Sequence, residues 1–321
     1  MLPEPLTPEP SPLPAESLPD ITPQAAPRPR TIAPLWHTIL LIAGIALYSF
    51  WGAQHIHSPA LDPIAPVSHN AKQLQKDLAT GADPQRLLRY ALSGLLELAV
   101  VAWVWLGLRI RRAPLLTLLG KLPRTLNDIT LEAGVAALFW LSSMTVLVVL
   151  ALTWQVGATL IYHHQEQQAK QQQQSHPGSQ STPAPESPEK KQLDTIRELL
   201  DLAPANGLEV AAWAALCIIV GFSEEIVFRG YLQSQGIAIF QRIPLGVLLS
   251  SIVFGFAHGY QGVRGMVLIG AFGAMFSVIT LLRRNLLPGI LAHAWHDFLM
   301  GLLLALVRAS HMLDKLMAKP H

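Results

Sequence analysis

Apolar runs long enough to cross a bilayer dominate this chain, and in its second half ionisable residues interrupt them. A spanning helix needs about 20 mostly apolar residues. Seven stretches qualify or come close, at roughly 35–54, 88–108, 134–161, 208–229, 243–259, 265–282 and 286–307. Backbone polar groups in lipid must be satisfied within the protein, which leaves helices or closed barrels. Runs of this length predict an all-α polytopic membrane bundle of about seven transmembrane helices. Composition agrees: 51% of the 321 residues are hydrophobic and 14% are charged, where a soluble globular chain carries about a quarter. There is no basic stripe with interleaved aromatics, so no nucleic-acid partner is expected.

The low-complexity stretches mark the divisions. Residues 1–34 are Pro-rich and acidic ahead of Arg28 and Arg30. No apolar core follows an early basic stretch, so this head is predicted to be disordered and not a signal peptide. Residues 35–162 hold three runs. Residues 163–207, with glutamines at 171–174 and a Pro/Ser-rich piece at 183–188, are expected to form a flexible, solvated linker with a short helix at about 190–203. The four remaining runs fill 208–307. In the tail, 308–321, Met312, Leu313, Leu316 and Met317 have helical spacing and are expected to lie along the membrane surface.

Short basic loops set the orientation. Arg109, Arg111, Arg112, Lys121 and Arg124 form one, and Arg283 and Arg284 another. Both fall on the cytoplasmic side if the N-terminus is cytoplasmic, in a plasma (inner) membrane. Helix counting then puts Glu224 toward the inner face and His258 toward the outer. A tilted or broken helix near Gly221 or Gly255 would reconcile the two depths.

Burying an ionisable group in hydrocarbon costs about 3 kcal/mol on insertion scales. Glu224, Glu225 and Arg229 lie at the end of the fourth run, His258 closes the fifth, and His293 and Asp297 interrupt the seventh. Glu225 and Arg229 are four apart and can pair on one helix face. That leaves Glu224 without a partner and free to act as a base. Phe254, one turn before His258, is placed to pack on its ring. Asp297 is placed to orient His293, and His296 is near enough to join that face. Two chemistries fit. Glu224, His258 and His293 are candidate ligands for zinc or another divalent metal holding a water. Alternatively, Glu224 and His258 activate water directly while His293 and Asp297 stabilise the oxyanion. Both hydrolyse a carbonyl compound. A serine elbow, HExxH helix, P-loop or GxGxxG helix start is absent.

At these residues the chain resembles a known family. Glu224-Glu225-Ile-Val-Phe-Arg229 is similar to an EExxxR motif, Phe254-Gly-Phe-Ala-His258 to FxxxH, and His293-Ala-Trp-His-Asp297 to HxxxN/D. The same three motifs, in the same order, mark the CPBP group of intramembrane proteases, also called the Abi or type II CAAX prenyl endopeptidase family. The resemblance covers about 208–305. It implies a helical membrane bundle with an internal site, and endopeptidase activity on a membrane-associated protein or peptide. It implies catalytic positions at Glu224, His258, His293 and Asp297, with Arg229 supporting. The family has been described both as metalloproteases and as metal-independent glutamate enzymes. Position 297 is Asp where the prenyl proteases carry Asn, which favours an orienting or metal-binding role there.

Two other readings remain. One is a non-catalytic membrane protein of the same family that grips a partner as an immunity factor or sensor scaffold. The other is a transporter with a carboxylate proton relay, although no internal repeat supports it. Glu97, inside the second run, reads as an interior-facing, hydrogen-bonded residue. His55, His57, His163 and His164 read as interfacial, and Cys217 as a packed helix position.

Overall fold

The computed structural model describes residues 30–55, 81–175 and 187–310. The expectations of a disordered head and a surface-lying tail fall outside the described residues, as does the Pro/Ser-rich piece of the linker.

All seven apolar runs are helical. α1 is Leu35–His55. α2 is Pro84–Ile110, started by Asp83, whose side chain accepts from the Gln85 N–H, and by a proline in the first turn. A 3₁₀ turn, Leu115–Leu119, leads toward α3, Leu126–Ser175. α4 is Pro188–Leu202, capped by Ser187, and α5 is Gly207–Glu224, capped by Asn206. The chain then winds as a π-helix over Glu225–Leu232 and returns to α-helix as α6, Gln233–Phe240. α7 is Ile243–Ala257, α8 is Gly262–Arg283 and α9 is Leu287–Ala309. Among the described residues extended pairing is confined to an isolated bridge between Gly120 and Asn285.

Five helical stretches are long and apolar enough to cross a membrane: Pro84–Ile110, Leu126–Gln172, Gly207–Phe240, Gly259–Arg283 and Leu287–Ala309. Leu35–Trp51 and Ile243–Ala257 are shorter apolar helices. The surface is inverted relative to a soluble protein. Leu138, Leu282 and Leu306 are 71%, 73% and 67% exposed, while Glu209, Glu225 and Arg229 are 0%, 0% and 2% exposed. Lipid is the solvent that suits such a surface, and ionisable groups in it face the bundle interior. The chain is an integral membrane protein.

The core gathers around the π segment. Ile226, Phe228 and Tyr231 pack with Val104 and Leu108 of α2, Phe254 of α7 and Leu286 ahead of α9. α5 lies between α2 and α9, and α7 between α6 and α8.

Two features depart from the sequence expectation. The glutamine-rich start of the linker is not flexible coil, since α3 runs through it to Ser175. Gln, Lys, Glu and Ala are good helix formers, and Lys170 pairs with Glu166 one turn away at 2.6 Å. Second, the run expected to end near 229 continues to Phe240. The chain reverses at Gln241, in the left-handed conformation with φ 55°, and Pro244 occupies the first turn of α7. Glu224 lies 17 residues before Gln241 and His258 lies 17 after it. The two arms of this hairpin are equal in residue count, and Phe254 packs on both His258 and His293, the latter facing Glu224, so Glu224 and His258 meet at a common level. This removes the depth conflict without a break at Gly221 or Gly255.

Candidate active site

Glu224 ends α5, and Glu225 opens the π segment. A π turn is characteristically found at functional sites. Its signature here is the Gln233 N–H bonding the Phe228 carbonyl, which also accepts from the Ser250 hydroxyl at 2.7 Å. Every residue from Glu225 to Leu232 is buried. α9 delivers His293 against this segment. Pro288 and Gly289 sit in its first turn, where a missing N–H is harmless. Glycines allow the close approach. A Cβ on Gly289 would stand 2.9 Å from Glu225 Oε2, and one on Gly221 would stand 2.8 Å from the Ala294 nitrogen.

His293 is the hub. Its Nδ1 donates to Glu225 Oε1 at 2.9 Å, which fixes a proton on that nitrogen. Its Nε2 lies 3.2 Å from Glu224 Oε2 and 3.8 Å from Asp297 Oδ2. The orienting role expected of Asp297 thus belongs geometrically to Glu225, on another helix. Asp297 is one turn further along α9 and partly exposed. Glu224, expected to lack a partner, faces His293.

Arg229 pairs with Glu225 as the spacing predicts, Nη1 to Oε1 at 3.0 Å, but at an angle that makes no hydrogen bond. Its guanidinium lies 4.1 Å from the ring centre of Phe254 and 5.1 Å from that of Phe276. Stacking on aromatic faces stabilises a cation where water is excluded. Phe254 touches both histidines as well, with ring centres 5.0 Å from His258 and 6.0 Å from His293. His258 caps α7 and donates from Nδ1 to the Phe254 carbonyl at 2.9 Å, leaving Nε2 as its free nitrogen. Glu224 is in its electrostatic reach.

His296 does not join this face. It accepts from the Trp140 indole N–H at 3.4 Å and packs on Phe272. Glu97 makes no hydrogen bond among the described residues, contrary to expectation. Its electrostatic neighbours are Glu224, His293 and Asp297. Phe276 and the clamping role of Glu225 escaped the sequence reading, because an aromatic in an apolar run and the second of two glutamates carry no distinguishing signal.

The three candidate metal ligands do not form a cradle in this arrangement. Among the described residues no three His, Cys, Asp or Glu side chains converge as metal ligands. Both histidines bond through Nδ1, His293 to Glu225 and His258 to a carbonyl, which leaves each Nε2 facing the centre's other groups.

The fold and this centre define a polytopic helical membrane protein with a buried glutamate–histidine–arginine site. Residues 206–299 match the family model described as type II CAAX prenyl endopeptidase Rce1-like. The match contains all three motifs and the hairpin that aligns them, and it leaves α1 to α4 outside. No curated protein and no solved structure matches the chain significantly.

Proposed function

We propose that the chain is an intramembrane endopeptidase that hydrolyses peptide bonds of membrane-associated or CAAX-like proteins, with Glu224 as general base. The observation that carries this reading is His293 held between the two glutamates of the EExxxR motif, at 2.9 Å and 3.2 Å. Glu224 takes a proton from a water whose oxygen attacks the scissile carbonyl carbon. It then returns that proton to the departing amine nitrogen as the C–N bond breaks. His258 offers Nε2 to the same water. His293, oriented through Nδ1, turns its Nε2 toward Glu224 and Asp297, where an N–H would meet the developing oxyanion. Arg229 balances the charge of Glu225 and keeps that carboxylate in place.

The zinc alternative would need Glu224, His258 and His293 to converge, which they do not among the described residues. Chelation tests this directly. Turnover that survives EDTA supports the glutamate route, and turnover lost to EDTA and restored by zinc supports a metalloprotease. The basic loop at 109–124 and Arg283 and Arg284 support a cytoplasmic N-terminus.

The deciding experiment compares the protein termini of membranes from two strains. One expresses the wild type and the other Glu224→Gln at equal membrane levels. New termini confined to the wild type establish proteolysis and supply the substrate. Identical termini with an unchanged phenotype identify a partner-binding protein instead.

A further inference from the structure

Glu97 belongs to α2, outside the stretch that matches the family. α2 runs alongside α5 in the same direction. Arg86 pairs with Glu209 at 2.7 Å, the ring of Tyr90 lies 5.3 Å from that of Trp213, and a Cβ on Gly94 would touch Leu216 and Ile219 at 3.6 Å. One turn past Gly94, the same face of α2 carries Glu97 to the level of the last turn of α5, where Glu224 lies. Its electrostatic neighbours there are Glu224, His293 and Asp297, and it is itself one of Tyr48 in α1.

Charge is unevenly distributed across this centre. The side chains of Arg229 and Glu225 are 1% and 0% exposed, at the closed end. Asp297 is 27% exposed and Glu224 11%, and Glu97 is half-buried, so these carboxylates are more accessible than the Glu225–Arg229 pair. Glu224 Oε2 is buried and has no hydrogen-bond partner. Arg229 is committed to Glu225 and two aromatic rings. Tyr260, a further electrostatic neighbour of Glu224 and Asp297, also lines a groove of about 310 Å³ with Arg89, Thr195, Leu202 and Gln261. Arg89 is two turns before Glu97 on α2, so this groove approaches the acidic side. Clustered carboxylates in a low-dielectric wall repel one another, and an incoming cation relieves that repulsion.

We propose that Glu97 is a specificity-determining residue whose carboxylate, together with that of Asp297, receives the ammonium or guanidinium of a basic residue beside the scissile bond. The inference rests on the protease reading above. It gives α2 a function in substrate choice that the matched domain does not contain.

The test uses the purified full chain in detergent micelles and peptides built on a cleavage site found in the membrane comparison. The peptides differ only in carrying Lys, Gln or Glu at a flanking position. The wild type is expected to cleave a Lys peptide with kcat/KM about tenfold or more above its Gln counterpart. Glu97→Gln removes that preference, Glu97→Lys transfers it to the Glu peptide, and Glu97→Asp keeps it. Equal cleavage of all three peptides by the wild type overturns the inference alone, whether or not the variants fold. So does a Lys preference that persists in Glu97→Gln, or one that vanishes with EDTA, which would assign the carboxylates to a metal. No cleavage of any peptide by the wild type overturns the protease reading as well.

Discussion

Two buried carboxylate–arginine clusters lie on the same continuous helix, and they are built differently. At the start of α5, Glu209 is fully buried and fully satisfied. Its Oε1 accepts from the Asp83 N–H at 2.7 Å, and its Oε2 accepts from the Ala205 N–H and from Arg86, each at 2.7 Å. At the end of α5, Glu225 Oε2, Glu224 Oε2 and all three guanidinium nitrogens of Arg229 lack hydrogen-bond partners. An unsatisfied buried polar group costs about 1–3 kcal/mol, and more when charged. The first cluster is a joint that ties α2 to α5 and the loop before it. The second holds its arginine by charge and aromatic faces, without the complete hydrogen bonding of the first. The two ion pairs are alike in lying buried and differ in hydrogen bonding.

Substitutions on the two sides should break the comparison in opposite ways. Glu224→Gln keeps the shape and removes the base. Turnover should fall about 1,000-fold, with the unfolding temperature in detergent unchanged. A full rate in a clean preparation would sink the assignment. Glu209→Ala should do the reverse. Stripping the carboxylate leaves two backbone donors without an acceptor and takes from Arg86 its 2.7 Å partner, leaving it the Asp201 carbonyl and the Asp83 carboxylate, at a cost of about 3 kcal/mol in stability. Thermal unfolding should register that loss, while kcat per folded molecule stays near the wild-type value.

Smaller changes sharpen the contrast. Arg229→Lys preserves charge but cannot lie flat between Phe254 and Phe276. The expectation is a drop in kcat of about 30-fold with KM little changed, read from peptide kinetics. Gly289→Ala places a methyl 2.9 Å from Glu225 Oε2. The clamp on His293 must shift, and kcat should decrease about tenfold. An unaltered rate in this variant would mean that Glu225 does not hold His293 during turnover.

Much of the site could be read from the chain because its residues violate their surroundings. Glutamates, an arginine and histidines in apolar runs are costly unless they meet, and their spacing of four, as in Glu225 and Arg229, predicts shared faces. The runs themselves announced the helices. The links between helices could not be read in that way. Nothing in the order of residues says that Glu225, and not Asp297, bonds His293, since that contact joins positions on two helices. Nor could sequence locate Glu97, which on periodicity alone is one more interior-facing carboxylate.

Local chemistry determined the rest: which segments are helical, which residues are too polar for lipid, and which family model 206–299 matches. These follow from hydrophobicity and spacing within a single segment, where each residue's preference acts on its own neighbours. Tertiary structure alone decided that the helix continues to Phe240, that a turn at Gln241 sets Glu224 and His258 at one level, and that α2 brings a fourth carboxylate to the site. Those outcomes depend on how whole helices pack, on the close approach that glycines such as Gly221 and Gly289 allow, and on buried charges being brought together because none can be left alone in hydrocarbon.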